Sequence, residues 1–133
     1  MNYGETVIEI KRVYEAPAAA DGFRILIDRL WPRGLSKDRA KIDLWLKEVA
    51  PSTALRKDFG HEPAQWADFQ SRYGRELDQK ADLLKEIKRL EREKKIVTLV
   101  YGAKDERHNN AVVLRARLAE SEDRGRRCRR RRP

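Results

Sequence analysis

The amino-acid sequence predicts an α/β fold, a single domain in which helices flank a small, mostly parallel sheet of few strands. Two segments, 23–30 and 96–101, are rich in β-branched and apolar residues, which is typical of buried strands. A long stretch of helical pattern separates them, as a right-handed crossover between parallel strands requires. The length of 133 residues suits one domain, and no repeat or Ser/Gly linker indicates a second.

The first two predicted strands lie close together in the chain. Residues 6–14 alternate partly between apolar and polar side chains, which indicates a strand with one face in water. Residues 23–30 carry apolar side chains on both faces, which indicates a more buried strand. The eight residues between them, 15–22, include the turn signal Asp21-Gly22 and are too few for a crossover helix. We therefore expect an antiparallel pair.

Short helical patterns follow the second strand. Ser36 is a candidate N-cap of a short turn, and 43–50 is a compact apolar segment of helical pattern. Ser52 or Thr53 then caps a second short helix that ends at Phe59.

A long helix is predicted from Pro63 to about Lys94, because proline is favoured in the first helical turn. Its apolar residues recur at steps of three and four: Trp66, Phe69, Tyr73, Leu77, Ala81, Leu84 and Ile87. Gly74 lies inside this helix, at a cost of about 1 kcal/mol relative to alanine, so a kink or a close contact is expected there.

The last predicted elements are a strand and a helix. Residues 96–101 are almost continuously apolar, which predicts a central strand covered on both faces. Residues 102–105 then form a short turn, and Asp105 is the expected N-cap of a final helix that ends near Ala119.

The positive charge of the chain is concentrated at its C-terminal end. The net charge is +9, and residues 124–133 contain seven arginines and no acid, which leaves +2 for the rest. Because such a block cannot bury apolar area, we predict an α/β domain over 1–120 and a disordered Arg-rich tail over 121–133. The arginines could bind nucleic-acid phosphates by counterion release. Alternatively, the tail is an extension without a role.

Other features exclude several classes of protein. No apolar run approaches the roughly 20 residues of a membrane span, and the N-terminal residues lack a signal-peptide pattern. One cysteine cannot form an internal disulfide, and with two histidines it cannot form a zinc site of the common types. We expect a soluble, cytoplasmic protein without a metal, a cofactor or a membrane partner.

Two polar segments follow the predicted parallel strands, 28–34 (DRLWPRG) and 102–110 (GAKDERHNN). Because parallel strands end at the same edge of a sheet, both segments should border a ligand-binding crevice. The second segment also opens a helix, whose free N–H groups attract anions. Arg29 and Arg33 are candidates for bidentate binding of a phosphate or carboxylate, and Lys104 would add a point charge.

Each of the remaining candidate residues in these segments could have either a functional or a purely structural role. Asp28 and His108 are the candidate catalytic residues, a carboxylate and a proton shuttle. Asp28 could instead hold the neighbouring arginines in a local ion pair. Asp105, Asn109 and Asn110 are candidate ligand-binding residues, although aspartate and asparagine also favour helix caps and turns.

At the same residues the chain resembles the DUF488 family, and within it the short YeaO-like branch. The resemblance spans roughly residues 7–118 and includes the specific DRLWPRG and HNNA segments. The matching stretches are residues 11–15, 21–34, 45–47, 50–52, 55–56, 59–61 and 97–111. The family takes its name from having no assigned function, so the resemblance implies the α/β fold and the choice of site but no reaction. The Arg-rich tail after about Glu120 departs from the family pattern.

Three functions remain open. In the first, the protein binds or acts on a small phosphate- or carboxylate-bearing ligand. Its concave site would be surrounded by Arg29, Arg33, Lys104 and His108 and faced by the amides of residues 106–108. In the second, it is a nucleic-acid-binding accessory protein that uses its basic tail and the arginines and lysines of its body. In the third, it is a non-catalytic interaction protein.

Overall fold

The computed structural model describes the backbone of residues 6–60 and 62–131, and the side chains of residues 6–60 and 62–120. The described residues form a four-stranded sheet and five α-helices, so the predicted α/β class is confirmed. The strands are β1 (Val7–Arg12), β2 (Phe23–Leu26), β3 (Leu44–Trp45) and β4 (Ile96–Tyr101). The helices are α1 (Lys37–Ala40), α2 (Thr53–Phe59), α3 (Trp66–Asp78), α4 (Ala81–Lys94) and α5 (Asn110–Arg131).

All pairs in the sheet are parallel, and the strand order is β1-β4-β2-β3. The prediction that 96–101 is a central strand, parallel to the strand that begins at Phe23, is confirmed. The register places Ile96 opposite Val7 of β1, and Val97 opposite Phe23 of β2. The nearly continuous apolar run of β4 suits this position, because a central parallel strand is covered on both faces.

The predicted antiparallel pairing of the first two strands is wrong, because β4 lies between them. The connection, residues 13–22, contains a short 3₁₀ turn at Ala19–Asp21 and passes the start of β4. An extended chain of this length reaches about 33 Å, well beyond the roughly 10 Å between next-nearest strands, so no helix is needed. At the crossing Gly22 has a φ of 63°, and a Cβ there would lie 2.3 Å from the carbonyl oxygen of Ile96. Only glycine fits this approach.

Residues 43–50 do not form the predicted helix. β3 occupies part of the segment and pairs with β2, and a short 3₁₀ turn follows at Lys47–Val49. The N–H groups of Asp43 and Leu46 each donate to a carbonyl of β2 at 2.9 Å. A strand of two residues is too short to show an alternation of apolar and polar side chains in the sequence. It forms because a neighbouring strand is present.

The predicted long helix is divided into two. A 3₁₀ turn at Pro63–Gln65 leads into α3, and residues 79–80 separate α3 from α4. A straight helix over the whole predicted range would be about 48 Å long, which exceeds the diameter of a small domain. The interruption therefore allows both helices to pack on the same core. The close contact expected at Gly74 is confirmed, since a Cβ there would lie 2.6 Å from the guanidinium of Arg117 in α5.

The sheet buries apolar side chains on both faces. On one face, Val97 and Leu99 of β4 join the main core with side chains of α2, α3, α4 and α5. On the other face, a smaller cluster contains Val13, Ala40 and Val100 and is bordered by Trp31, Leu35 and Ile42. The segment after β2 therefore supplies the cover of this second face.

The helix α5 continues to Arg131, beyond the predicted end near Ala119, in keeping with the high helix propensity of arginine. The side chains of residues 121–133 lie outside the described part of the chain, so the predicted disordered tail stays a prediction. No helix within the described residues is long and apolar enough to cross a membrane.

Candidate functional site

A crevice lies at the carboxyl ends of β2 and β4, between the start of α5 and the helix α2. Its volume is about 230 Å³, which is smaller than the roughly 300–1,000 Å³ of sites for drug-sized ligands. Four residues selected from the sequence line it, namely Asp28, Arg29, Asn109 and Asn110. This edge is where open α/β sheets bind their ligands.

Asp28 is held at the crevice by two hydrogen bonds. Its Oδ2 accepts from the backbone N–H of Gly102 at 2.8 Å, and its Oδ1 accepts from Nδ2 of Asn110 at 3.1 Å. Gly102 suits this approach, because a Cβ there would lie only 3.2 Å from Oδ2 of Asp28. The carboxylate thus connects the ends of β2 and β4 to the first turn of α5.

Two guanidinium groups line the crevice, those of Arg29 and Arg56. Arg29 donates from Nε to the carbonyl of Pro51 at 3.4 Å and from Nη2 to the carbonyl of Ala50 at 3.3 Å. Both distances are long for N–H···O bonds. Arg56, in α2, is exposed, and within the described part of the chain its guanidinium has no hydrogen bond or salt bridge. Together with Asp28, these groups give the described lining of the crevice two positive charges and one negative charge.

Two aromatic side chains, Phe59 and Phe69, form an apolar part of the wall. Their rings stack with centroids 4.5 Å apart, and both residues are buried in the main core. The sequence pattern assigns Phe69 to the core alone, and neither Phe59 nor Arg56 was predicted at the site. Residues 55–56 and 59–61 belong to the stretches that resemble the DUF488 family, which is the signal that could have found them.

The first turn of α5 is organised by its asparagines. Asn109 is 2% exposed, and its Oδ1 accepts from the N–H of Val112 at 3.1 Å, which makes it the N-cap. The prediction that Asp105 caps this helix is wrong, because the helix begins only at Asn110. Asp105 instead caps the preceding turn, where its Oδ1 accepts from the N–H of His108 at 3.1 Å.

His108 lies beside the crevice and is not among its lining residues. Its Nδ1 is 2.8 Å from Oδ2 of Asp105, and its ring meets that of Trp66 edge-on, with centroids 5.0 Å apart. The hydrogen bond with the His108 side chain, followed by that from the N–H of Arg107, lowers the pKa of Asp105 below its ordinary value. Because Asp105 accepts from the amides of residues 107 and 108, a side chain of the protein already occupies two of the amides expected to face an anion.

Arg33 and Lys104 are exposed, and the structure does not bring them to the crevice that Arg29 lines. The backbone carbonyl of Arg33 accepts a hydrogen bond from the hydroxyl of Tyr14 at 2.9 Å. Two residues before Arg33, Trp31 packs against the smaller cluster on the second face of the sheet. From Trp31 onward the chain turns away from the crevice, because Trp31 and Leu35 pack on that second face.

The polar groups that line the crevice include both hydrogen-bond donors and acceptors. In the part of the chain that the structure describes, no three His, Cys, Asp or Glu side chains gather where they could hold a metal. The crevice instead offers guanidinium donors, which bind phosphates and carboxylates, next to carboxylate and carboxamide acceptors.

A family model and individual relatives both match most of this chain. The model of a family described as "Inactive DUF488-N3 subclade" matches residues 7–131. The uncharacterized protein YeaO of Escherichia coli (strain K12) is 44% identical over 107 residues, which cover 80% of this chain and 92% of YeaO. The uncharacterized protein Rv3073c of Mycobacterium tuberculosis (strain ATCC 25618 / H37Rv) is 39% identical over 110 residues, which cover 83% of this chain and 92% of the relative. No solved structure matches the chain significantly.

Proposed function

Because this chain belongs to the DUF488 family, in the subclade described as inactive DUF488-N3, we propose that it binds a small anionic molecule without converting it. The observation that carries the proposal is that Arg29 and Arg56 line one small crevice at the carboxyl ends of β2 and β4. Open α/β sheets bind their ligands at this edge.

The hydrogen-bonding of the two arginines supports an anionic ligand. Arg56 has no hydrogen-bond or salt-bridge partner among the described residues, so its charge is available. Among the described residues Arg29 makes only long bonds to backbone carbonyls, at 3.3 and 3.4 Å, and shorter bonds to an anion could replace them. The positive end of α5 adjoins the crevice and favours the same charge.

The arrangement of the acid–base candidates favours binding over catalysis. Of the two residues selected from the sequence for proton transfer, only Asp28 lines the crevice, and its carboxylate accepts hydrogen bonds from Gly102 and Asn110. His108 lies outside the lining and is paired with Asp105. The description of the subclade as inactive agrees with a site that binds a ligand and does not act on it.

Titration of the full chain with inorganic phosphate, followed by ¹H–¹⁵N NMR, tests the proposal. We expect the amides of Gly102 and Asn110 to shift. Arg56→Ala should weaken phosphate binding by about ten-fold or more, because a hydrogen bond to a charged group contributes about 1.5–3 kcal/mol. Arg33→Ala is the matched control, since it removes an exposed arginine away from the crevice and should leave binding unchanged. Shifts confined to another surface, or an Arg56→Ala variant that binds normally, would overturn the proposal.

Nucleic-acid binding is the second candidate, favoured by the seven arginines within residues 124–133. Such binding would depend on counterion release and would therefore be insensitive to sequence and sensitive to salt. It would use a part of the chain other than the crevice, so the two functions can be tested separately.

A further inference from the structure

The crevice presents hydrogen-bond acceptors next to its two arginines, and these acceptors restrict the chemistry of the ligand. Asp28 and Asn110 both border it. Nδ2 of Asn110 donates to the carbonyl of Ile27 and to Oδ1 of Asp28, each at 3.1 Å. Both hydrogens of that amide are thus used, which leaves its oxygen as the atom available to a ligand, and the described residues supply no donor to it.

A bare anion fits this combination poorly. The carboxylate of Asp28 lies on the same small crevice as Arg29 and Arg56, so an anion bound to the arginines would be repelled by Asp28. A ligand with hydrogen-bond donors beside its anionic group would offset this repulsion, because Asp28 would then accept a hydrogen bond from the ligand.

We propose that the ligand is a phosphorylated polyol of about the size of a pentose phosphate, an inference that rests on the proposed function of the crevice. Its phosphate binds Arg29 and Arg56, and its hydroxyl groups donate to Asp28 and to Oδ1 of Asn110. The volume of about 230 Å³ accommodates one small sugar unit, well below the size of a dinucleotide site.

Hydroxyl groups fit these acceptors better than an ammonium group does. An ammonium would also donate to Asp28, but it would be repelled by the guanidinium groups of Arg29 and Arg56. A hydroxyl carries no charge and donates both to a carboxylate and to a carboxamide, more strongly to the carboxylate. The stacked rings of Phe59 and Phe69 provide an apolar surface for the C–H groups of a sugar.

Isothermal titration calorimetry of the full chain with ribose 5-phosphate and with methyl phosphate tests this inference. The two probes share a phosphate monoester and differ in the hydroxyl groups. We expect ribose 5-phosphate to bind at least about ten-fold more tightly, since hydrogen bonds to charged groups are worth that factor or more. Equal affinity for the two probes would overturn the inference, and this comparison requires no variant.

Asp28→Asn gives an independent test with effects of opposite sign. The variant should bind ribose 5-phosphate more weakly, because the charge-assisted hydrogen bond from the ligand hydroxyl to the carboxylate becomes a weaker neutral one. It should bind methyl phosphate more tightly, because the repulsion is removed. Asp38→Asn is the matched control, since Asp38 is an exposed acid in α1 that does not line the crevice, and it should change neither affinity. Tighter binding of both probes to Asp28→Asn would overturn the inference.

The outcomes separate this inference from the proposed function. If methyl phosphate binds as tightly as ribose 5-phosphate and both depend on Arg56, the crevice is an anion site and the polyol inference fails. If neither phosphate binds, both fail.

Discussion

Arg24 is a charged residue inside the fold, with only 3% of its surface exposed. Its Nη1 donates to Oδ2 of Asp21 at 2.6 Å, and its other nitrogens donate to the carbonyls of Ala40 and Lys41. Lys11 of β1 also pairs with Asp21, at 3.1 Å. Each of these charges has a partner, as burial requires. Arg24 thus connects Asp21, in the connection after β1, with Ala40 and Lys41, in the segment that covers the second face of the sheet.

Asp21→Asn should lower the free energy of unfolding at pH 7 by about 3–5 kcal/mol, because buried Arg24 loses its anionic partner. Burial raises the pKa of Asp21, but the N–H of Ala18 and the side chains of Lys11 and Arg24 outweigh it and hold this pKa below the ordinary value of 3.8. The stabilisation is therefore complete above pH 3.8 and is lost as the pH falls through the lower folded-state pKa.

Urea unfolding of the wild type and Asp21→Asn at a series of pH values measures this contribution. The difference in unfolding free energy should be constant near neutral pH and should shrink under strongly acidic conditions. Asp38→Asn removes an exposed acid in α1 and serves as the control, with little expected effect. A difference that does not change with pH would show that the carboxylate charge is not responsible.

At the scale of single elements, sequence and structure agree most closely at the starts of the short helices. Oγ of Ser36 accepts from the N–H of Arg39, and Oγ of Ser52 accepts from the N–H of Leu55, each at 3.2 Å. Ser36 was predicted as a cap, and Ser52 was one of two candidates for the other, because the hydrogen bond of an N-cap spans only three residues. The cap of α5, Asn109, matters for the crevice as well, since the turn that it stabilises carries Asn110 to Asp28.

Asn109→Ala should lower the free energy of unfolding by about 1 kcal/mol, the usual value for the loss of an N-cap. Asn109→Ser retains a cap oxygen and should recover most of that loss. Thermal or urea unfolding of the three proteins measures both effects. If the alanine and serine variants are equally stable, the hydrogen bond to Val112 does not contribute as a cap.

At the scale of the whole molecule, charge is distributed unevenly along the chain. Residues 124–133 carry seven of the nine net positive charges, while residues 1–123 are close to neutral at +2. The nearly neutral body contains the crevice, and the basic segment contains the features expected of a phosphate-binding tail. The two proposed functions therefore belong to different parts of the chain.

Deleting residues 124–133 should sharply reduce salt-sensitive binding to DNA and leave the melting temperature nearly unchanged, because the removed residues are expected to bury no core. Fluorescence anisotropy of a labelled duplex across a salt series measures the first effect, and a thermal melt measures the second. A variant with the seven arginines replaced by lysine keeps the charge and should retain binding. Sequence-selective binding that survives the deletion would favour a specific nucleic-acid role for the body.

The sequence by itself determined the α/β class, the central parallel strand at 96–101 and the serine caps of the first two helices. These features depend on hydrophobic periodicity and on contacts within a few residues, so they are visible in short stretches of sequence. It also selected Asp28, Arg29, Asn109 and Asn110, which in the structure line one crevice. Polar residues just after parallel strands, or at the start of the next helix, emerge at the same edge of a sheet.

Only the tertiary structure decided which strands pair and which distant segments meet at the crevice. β4 is inserted between β1 and β2, although no local pattern in those strands identifies their neighbour. Arg56 joins the crevice because α2 packs at that edge, whereas Arg33 is directed elsewhere because Trp31 packs on the second face. The physical reason is that strand order and loop direction follow from burying apolar surface between segments far apart in the chain, and that surface belongs to no single segment.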